Sequence, residues 1–367
     1  MNLFKQLRSG TSDSDIQPLT ILRFFVAFWV VFAHQYMFWD WIKDPIFEPL
    51  RNILDRGDAA VKIFFILSGF ILTHVYSDKD NISVKKFYVA RFARIYPLYI
   101  VALIMALPGF LLIEIPNELA AHSGVSGWTL IFLKSISVLF LVQSWIPGFG
   151  AFWNPVSWSL STEAFFYAIF PFLIRKMKSW SLFKIYTALA ICLVLEVFRL
   201  INFDAAFNLF SDRNEAAIWV FTPIFRLPDF VTGIMIALVW KKGYRIHSAL
   251  GAPAIVLILI GCMPSYTPKY FAFILLHAGC ALLIFALAFS LKESNFFVRA
   301  GILLGQSSFA VYLIHEPFSY MYSVVSLKTF GHELPYLFYI ILLIAISVFL
   351  YTRIESPARE ILRKKLE

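Results

Sequence analysis

Charge is scarce in this chain. Asp, Glu, Lys and Arg make up 15% of its 367 residues, and apolar and aromatic residues make up 60%. A soluble globular domain carries about 25% charged and about 45–50% apolar residues, so that class is excluded. Cysteine is nearly absent. Cys192, Cys262 and Cys280 stand alone, with no CxxC spacing. A disulfide framework and a cysteine-based metal site are therefore not expected, and the three read as small apolar packing residues. Internal repeats and low-complexity tracts are also missing. The first apolar stretch lacks a small-residue cleavage site and holds Arg23, His34 and several aromatics, so a removable signal peptide is not expected.

What the chain does have is apolar length. Stretches of roughly 17–25 residues, enough to cross a bilayer core of about 30 Å, recur from end to end. The expected fold is an all-α polytopic membrane protein with about ten transmembrane helices, at 19–38, 59–77, 94–113, 158–174, 182–201, 217–240, 249–263, 270–291, 301–323 and 335–352. A polar tail over 1–18, holding Lys5 and Arg8, precedes one membrane domain over 19–352. A basic tail over 353–367, expected as a short surface helix, follows it.

The net charge of +9 sits in short loops. It fits the positive-inside rule better than nucleic-acid binding, for which no basic stripe with a matching motif exists. The loop 39–58 holds Asp40, Asp44, Glu48, Asp55 and Asp58 against Lys43, Arg51 and Arg56, and is placed outside. Lys79, Lys85, Lys86 and Arg91 place 78–93 inside, and the lysine- and arginine-free 114–127 falls outside. Arg175, Lys176 and Lys178 return inside only if the apolar stretch 128–146, with its Lys134 and the following Pro147-Gly148 turn, dips in as a re-entrant segment or rests on the outer side. Asp204, Asp212 and Glu215 then lie outside, Lys241, Lys242 and Arg245 inside, and both termini in the cytoplasm.

Ionisable residues inside such spans are costly and mark candidate sites. In LRFFVAFWVVFAH, residues 22–34, Arg23 and His34 are eleven residues apart. At about 100° per residue they return to one helical face, roughly 16 Å apart along it. The stripe offers an anion site low and a titratable base high, although each residue alone also reads as a snorkelling arginine or a hydrogen-bonded bundle histidine. Ser68 and Gly69 in VKIFFILSGFIL allow close approach of a helix or of a ligand. Arg91 and Arg94 share a face at a cytoplasmic helix start. Guanidinium groups there suit phosphate, and they equally suit a membrane anchor.

Glu163 in WSLSTEAFFY is either an acidic partner that orients His34 or one half of a structural bridge to Lys62 or Arg226. Arg226 and Asp229, at i and i+3 in FRLPDFVTG, read as a structural pair. Tyr312 and His315 in SSFAVYLIHEPF either line the same cavity or bridge helices. Two histidines without further ligands do not suggest a metal, and none is expected.

The ordered set of motifs resembles the acyltransferase family 3 membrane proteins, bacterial O-acyltransferases of surface polysaccharides. The resemblance rests on LRFFVAFWVVFAH, FFILSGF, Arg91-x-x-Arg94 with Tyr96-Pro97, WSLSTE, RLPDF and YLIHEP, which span residues 19–352 in the family's order. Asp229 stands where the family usually has glutamate, and Ala164 follows Glu163 where a second carboxylate is common. The resemblance implies a bacterial cytoplasmic (inner) membrane location, acetyl-CoA or another acyl-CoA as donor, and a glycan hydroxyl as acceptor. It also implies His34 and Glu163 as catalytic residues and Arg23, Arg91 and Arg94 as donor-binding ones. The competing expectation is a carrier of polysaccharide or lipid-linked sugar without covalent chemistry. Against that stand the lack of repeated halves and of paired broken helices.

Overall fold

The computed structural model describes residues 16–34, 44–79, 82–122, 124–210, 218–263, 268–289, 291 and 295–365. The N-terminal tail up to residue 15 lies outside this set, as do Asp40, Lys43, Asp212 and Glu215 of the expected outer loops. The described residues form helices and turns, with no strand among them. The main helices are α1 (Gln17–His34), α2 (Gly57–Tyr76), α3 (Val84–Gly109), α4 (Val125–Leu139), α5 (Trp158–Met177), α6 (Leu182–Phe210), α7 (Leu227–Lys241), α8 (Gly251–Gly261), α9 (Lys269–Ala286), α10 (Phe296–Gln306), α11 (Ser308–Phe330), α12 (Tyr336–Leu350) and α13 (Ser356–Lys364).

Seven helical stretches among the described residues are long and apolar enough to cross a membrane: Gln17–His34, Glu48–Tyr76, Val84–Ala121, Leu182–Phe203, Pro223–Lys241, Lys269–Ala286 and Tyr336–Leu362. The chain is thus a multi-pass membrane protein. α10 and α11 make an eighth span if the pair, bent by 55°, is counted as one. A helix stands at each of the ten expected spans, but two fail on length or polarity. α5 carries Ser159, Ser161, Thr162, Glu163, Arg175 and Lys176 along its 20 residues. α8 has only 11 residues. The segment expected to re-enter, 128–146, holds α4 of 15 residues. At about 1.5 Å per residue it falls short of a bilayer core of about 30 Å.

The chain divides into two compact units, each described by itself. Unit 1 comprises residues 1–82, 170–198 and 227–309. Its centre is the crossing of α2 and α7, where glycine permits backbone contact. A Cβ on Gly69 would collide with the Phe230 carbonyl oxygen, and one on Gly233 with the Ile66 carbonyl oxygen. Two bulky helices cannot approach this closely, so the small residues of the SGF and VTG motifs serve helix packing. Gly305 of α10 meets the Thr20 carbonyl of α1 in the same way. Past the end of α2, Lys241 donates to Asp78 and holds that carboxyl below the usual carboxylate range.

Unit 2 comprises residues 83–169, 199–226 and 310–367. α3 continues through a π-helical turn, Phe110–Glu114, into the short helix Ile115–Ala121. The Tyr96 and Tyr99 hydroxyls donate to the carbonyls of Leu139 and Val138 at 2.7 and 2.8 Å, fixing the end of α4 against α3. Lys134, the charge inside the apolar stretch, is neutralised by Glu118 at 2.6 Å. The stretch from residue 140 to α5 is irregular. Gly148 provides the expected turn with φ 75°, and Leu141 and Trp153 also take positive φ, 56° and 68°.

Replacing Gly69 or Gly233 by Leu is expected to cost about 3 kcal/mol or more, as overpacking against a backbone that cannot yield. Gly148→Ala, which meets open space at positive φ, is expected to cost only about 1 kcal/mol. Thermal unfolding of the detergent-purified variants measures both.

Candidate active site

α1 is one continuous helix, so Arg23 and His34 share a stripe with Ala27 and Val30 between them. Ala27 is 0% exposed and Val30 is 1% exposed, whereas Phe25 on another face is 64% exposed. The stripe therefore faces protein, with Arg23 and His34 half-buried at its two ends. His34 Nδ1 lies 2.8 Å from the Val30 carbonyl oxygen. A carbonyl only accepts, so Nδ1 carries a hydrogen, and the lone pair of a neutral ring then lies on Nε2. That is the form a general base needs. The first residue of α2 sits beneath the ring: a Cβ on Gly57 would lie 3.0 Å from Ala33 Cβ and 3.9 Å from His34 Cε1.

Unit 2 gathers the other expected charges. The Arg91 guanidinium lies over the rings of Phe87 and Tyr167, 5.7 and 5.6 Å from their centres. Tyr167 donates its hydroxyl to Glu163. Arg94 lies within electrostatic reach of Glu163 and Glu355. The Tyr88 hydroxyl donates to the Ala168 carbonyl at 2.8 Å and fixes α3 against α5. The basic tail forms the expected helix, α13, and it packs against α3. It brings Arg359 to the cluster, 3.7 Å from Glu355. Sequence reasoning missed Glu355 and Arg359. Their signal was the i, i+4 spacing within RIESPARE, read only as part of a basic surface helix.

The remaining expected residues have structural partners. Tyr312 pairs with Ser159 at 2.6 Å and donates to the Val156 carbonyl at 3.0 Å. His315 is fully buried and its Nδ1 donates to the Tyr312 carbonyl at 2.6 Å. Its own carbonyl accepts from Tyr339 at 3.0 Å. Gly69 is filled by the backbone of α7, as above, and Ser68 beside it is half-buried. Arg226 donates to the Val220 carbonyl at 2.8 Å and lies over Trp158. Asp229 pairs elsewhere, within unit 1.

That pairing is the largest feature the sequence hid. Lys62 Nζ lies 2.5 Å from Asp229, 2.9 Å from Glu196 and 3.3 Å from His277 Nδ1. His277 Nε2 lies 3.0 Å from the Thr232 hydroxyl. Lys62, Glu196, Asp229 and His277 are each at most 4% exposed. They come from α2, α6, α7 and α9. Glu196, Asp229 and His277 are spaced as cation ligands would be, and the Lys62 ammonium holds the position such a cation would take. Buried Cys192, Cys262 and Cys280 are free thiols.

Removing one partner of a buried ion cluster strands charge and costs about 3–5 kcal/mol. Lys62→Met is thus expected to lower the unfolding temperature sharply. Lys62→Met combined with Asp229→Asn is expected to recover a substantial part of the loss. Scanning fluorimetry on the single and double variants closes the cycle.

The comparisons with known proteins point to one family. The sequence profile of the acyltransferase domain matches residues 17–352. Acyltransferase MdmB of Streptomyces mycarofaciens is 31% identical over 315 residues, covering 82% of this chain and 78% of that protein. Exopolysaccharide production protein ExoZ of Rhizobium meliloti is 28% identical, covering 71% of this chain and 75% of its own. Nodulation protein 10 of Rhizobium leguminosarum bv. viciae is 24% identical over 93% of this chain and 92% of its own. No solved structure matches. An enzyme that forms an acyl bond replaces the expectation of a carrier without covalent chemistry. The chain belongs to acyltransferase family 3 and is an acyltransferase.

Proposed function

We propose that the protein moves an acetyl group from acetyl-CoA, offered on the cytoplasmic side, to a hydroxyl of a cell-surface polysaccharide on the outer side. It works in the bacterial cytoplasmic membrane, crosses it about ten times with α4 re-entrant, and keeps both termini inside. The observation that carries the chemistry is the Val30 carbonyl on His34 Nδ1, which places a hydrogen on Nδ1 and, in a neutral ring, the basic lone pair on Nε2.

Arg91 and Arg94 hold the donor's phosphates, with Arg23 assisting. Fork-shaped guanidinium groups on one helical face match phosphate oxygens in pairs. The acceptor hydroxyl oxygen attacks the thioester carbonyl carbon as its proton passes to His34 Nε2. The carbon–sulfur bond then breaks, and the leaving thiolate takes that proton from the imidazolium. Glu163, held by Tyr167 and facing Arg94, supplies the acidic charge of the site and keeps the arginine in place.

His34→Gln is expected to reduce acyl transfer by at least ~100-fold in correctly inserted protein, measured with labelled acetyl-CoA and isolated polysaccharide. Transfer at the wild-type rate would sink the role of His34. Label retained on the wild-type protein without acceptor, and lost in the variant, would replace direct transfer by an acyl-histidine intermediate. Arg91→Lys is expected to raise the KM for acetyl-CoA about ten-fold with little change in kcat, because a point charge replaces a two-pronged contact.

A further inference from the structure

We infer that unit 2 carries a subsite for one neutral sugar ring, in a cavity of about 180 Å³ at the C-terminal end of α3. The inference rests on the glycan-acceptor reading above and names where that acceptor is held. Gly109, Glu114, Trp153, Glu316 and Tyr320 line the cavity. By the loop-charge orientation, the end of α3 is the outer one, away from Arg91 and Arg94.

Three backbone irregularities meet at this cavity. The first is the π turn Phe110–Glu114, which ends at one of the carboxylates. The second is Trp153, a bulky residue held at φ 68°. The third is Pro317, inside α11 next to Glu316. A non-glycine residue in the left-handed region costs about 1–3 kcal/mol, and π turns concentrate at functional sites. The strain is held by specific contacts. The Trp153 indole donates to the Leu103 carbonyl at 3.1 Å, and its ring stacks on Phe110 at 4.3 Å and 11°. The following residue, Asn154, donates to the Leu313 carbonyl at 3.1 Å, tying the turn to α11. The wall is therefore rigid before any ligand arrives.

The lining selects a chemical class. A cavity of ~150 Å³ takes up benzene, so this one admits a single six-membered ring. Two carboxylates accept hydrogen bonds from hydroxyl groups and repel anions. An aromatic face covers the apolar side of a pyranose. A quaternary ammonium would satisfy the charge but needs several aromatic faces around it. Phe110 already covers one face of Trp153, which leaves a platform and not a cage. A neutral pyranose fits these conditions; a uronic acid does not.

The test uses the full chain in lipid nanodiscs and saturation-transfer NMR. The probes are the methyl glycosides of glucose, galactose and mannose, sodium glucuronate, and tetramethylammonium chloride. At least one neutral glycoside is expected to bind, with glucuronate and tetramethylammonium giving no signal. Trp153→Ala and the isosteric Glu316→Gln are expected to weaken binding about ten-fold. Gly109→Leu, whose new side chain grows toward Tyr320, is expected to abolish it. The subsite is overturned if no neutral glycoside binds, if tetramethylammonium binds instead, or if the glycoside signal survives all three substitutions. Transfer from labelled acetyl-CoA by the wild type is scored separately. Glycoside binding without transfer would remove the proposed activity and leave the sugar site standing.

Discussion

Unit 1 is organised around a buried ammonium group. Lys62 stands at the meeting point of α2, α6, α7 and α9, and each neighbouring helix answers it with Glu196, Asp229 or His277. A charge buried in an apolar bundle is tolerated only when paired and hydrogen-bonded. This sets the register of four helices at once. Sliding any one of them by a turn would move its partner about 5.4 Å along the axis and leave a charge unmatched. The crossing of Gly69 with Gly233 works in the same direction. It brings α2 and α7 close enough for the short Asp229 side chain to reach Lys62. Packing without directional preference and charge with strong directional preference thus agree on one arrangement.

Parts of this were legible in the sequence and parts were not, for a physical reason. Spacing within one helix is governed by a fixed period, so the shared stripe of Arg23 and His34, the shared face of Arg91 and Arg94 and the existence of most spans could be read directly. Contacts between helices have no such period. Lys62 and Asp229 are 167 residues apart, and Lys62 and His277 are 215 apart. Asp229 looked like the local partner of Arg226, and Glu196 lay unnoticed inside an apolar span. The number of crossings was harder to read than their existence, because α5 spends polar residues on its packed face and α8 is too short on its own. The tail shows the same limit. Its helix was readable, whereas its placement on α3 was not.

The two candidate halves of the chemistry are built differently. The arginine cluster already contains acidic neighbours. Arg91, Arg94 and Arg359 lie among Glu163 and Glu355, with Tyr167 bridging. Three cations against two anions leave a net positive site, with Arg359 paired to Glu355. Under the proposed donor-binding role, a phosphate group would exchange one anionic neighbour for another, and the arginines would not have to be stripped of water at the moment of binding. Bare guanidinium groups in an apolar setting would be far more costly to hold, and would bind any passing anion.

His34 is held differently, with a backbone carbonyl as the partner of its ring. Its Nδ1 donates to a carbonyl of its own helix four residues earlier, so the backbone of α1 helps to orient the ring. What the helix does not fix is the position of the helix end, and this is where Gly57 matters. Because that residue lacks a side chain, the start of α2 can come up beneath Ala33 and the imidazole. In turn Trp29 of α1 donates to the Ile53 carbonyl at 2.8 Å, just ahead of α2. The imidazole is thus oriented by one helix and seated by the approach to the next. The same α2 that seats it is locked, one turn further along, by Lys62.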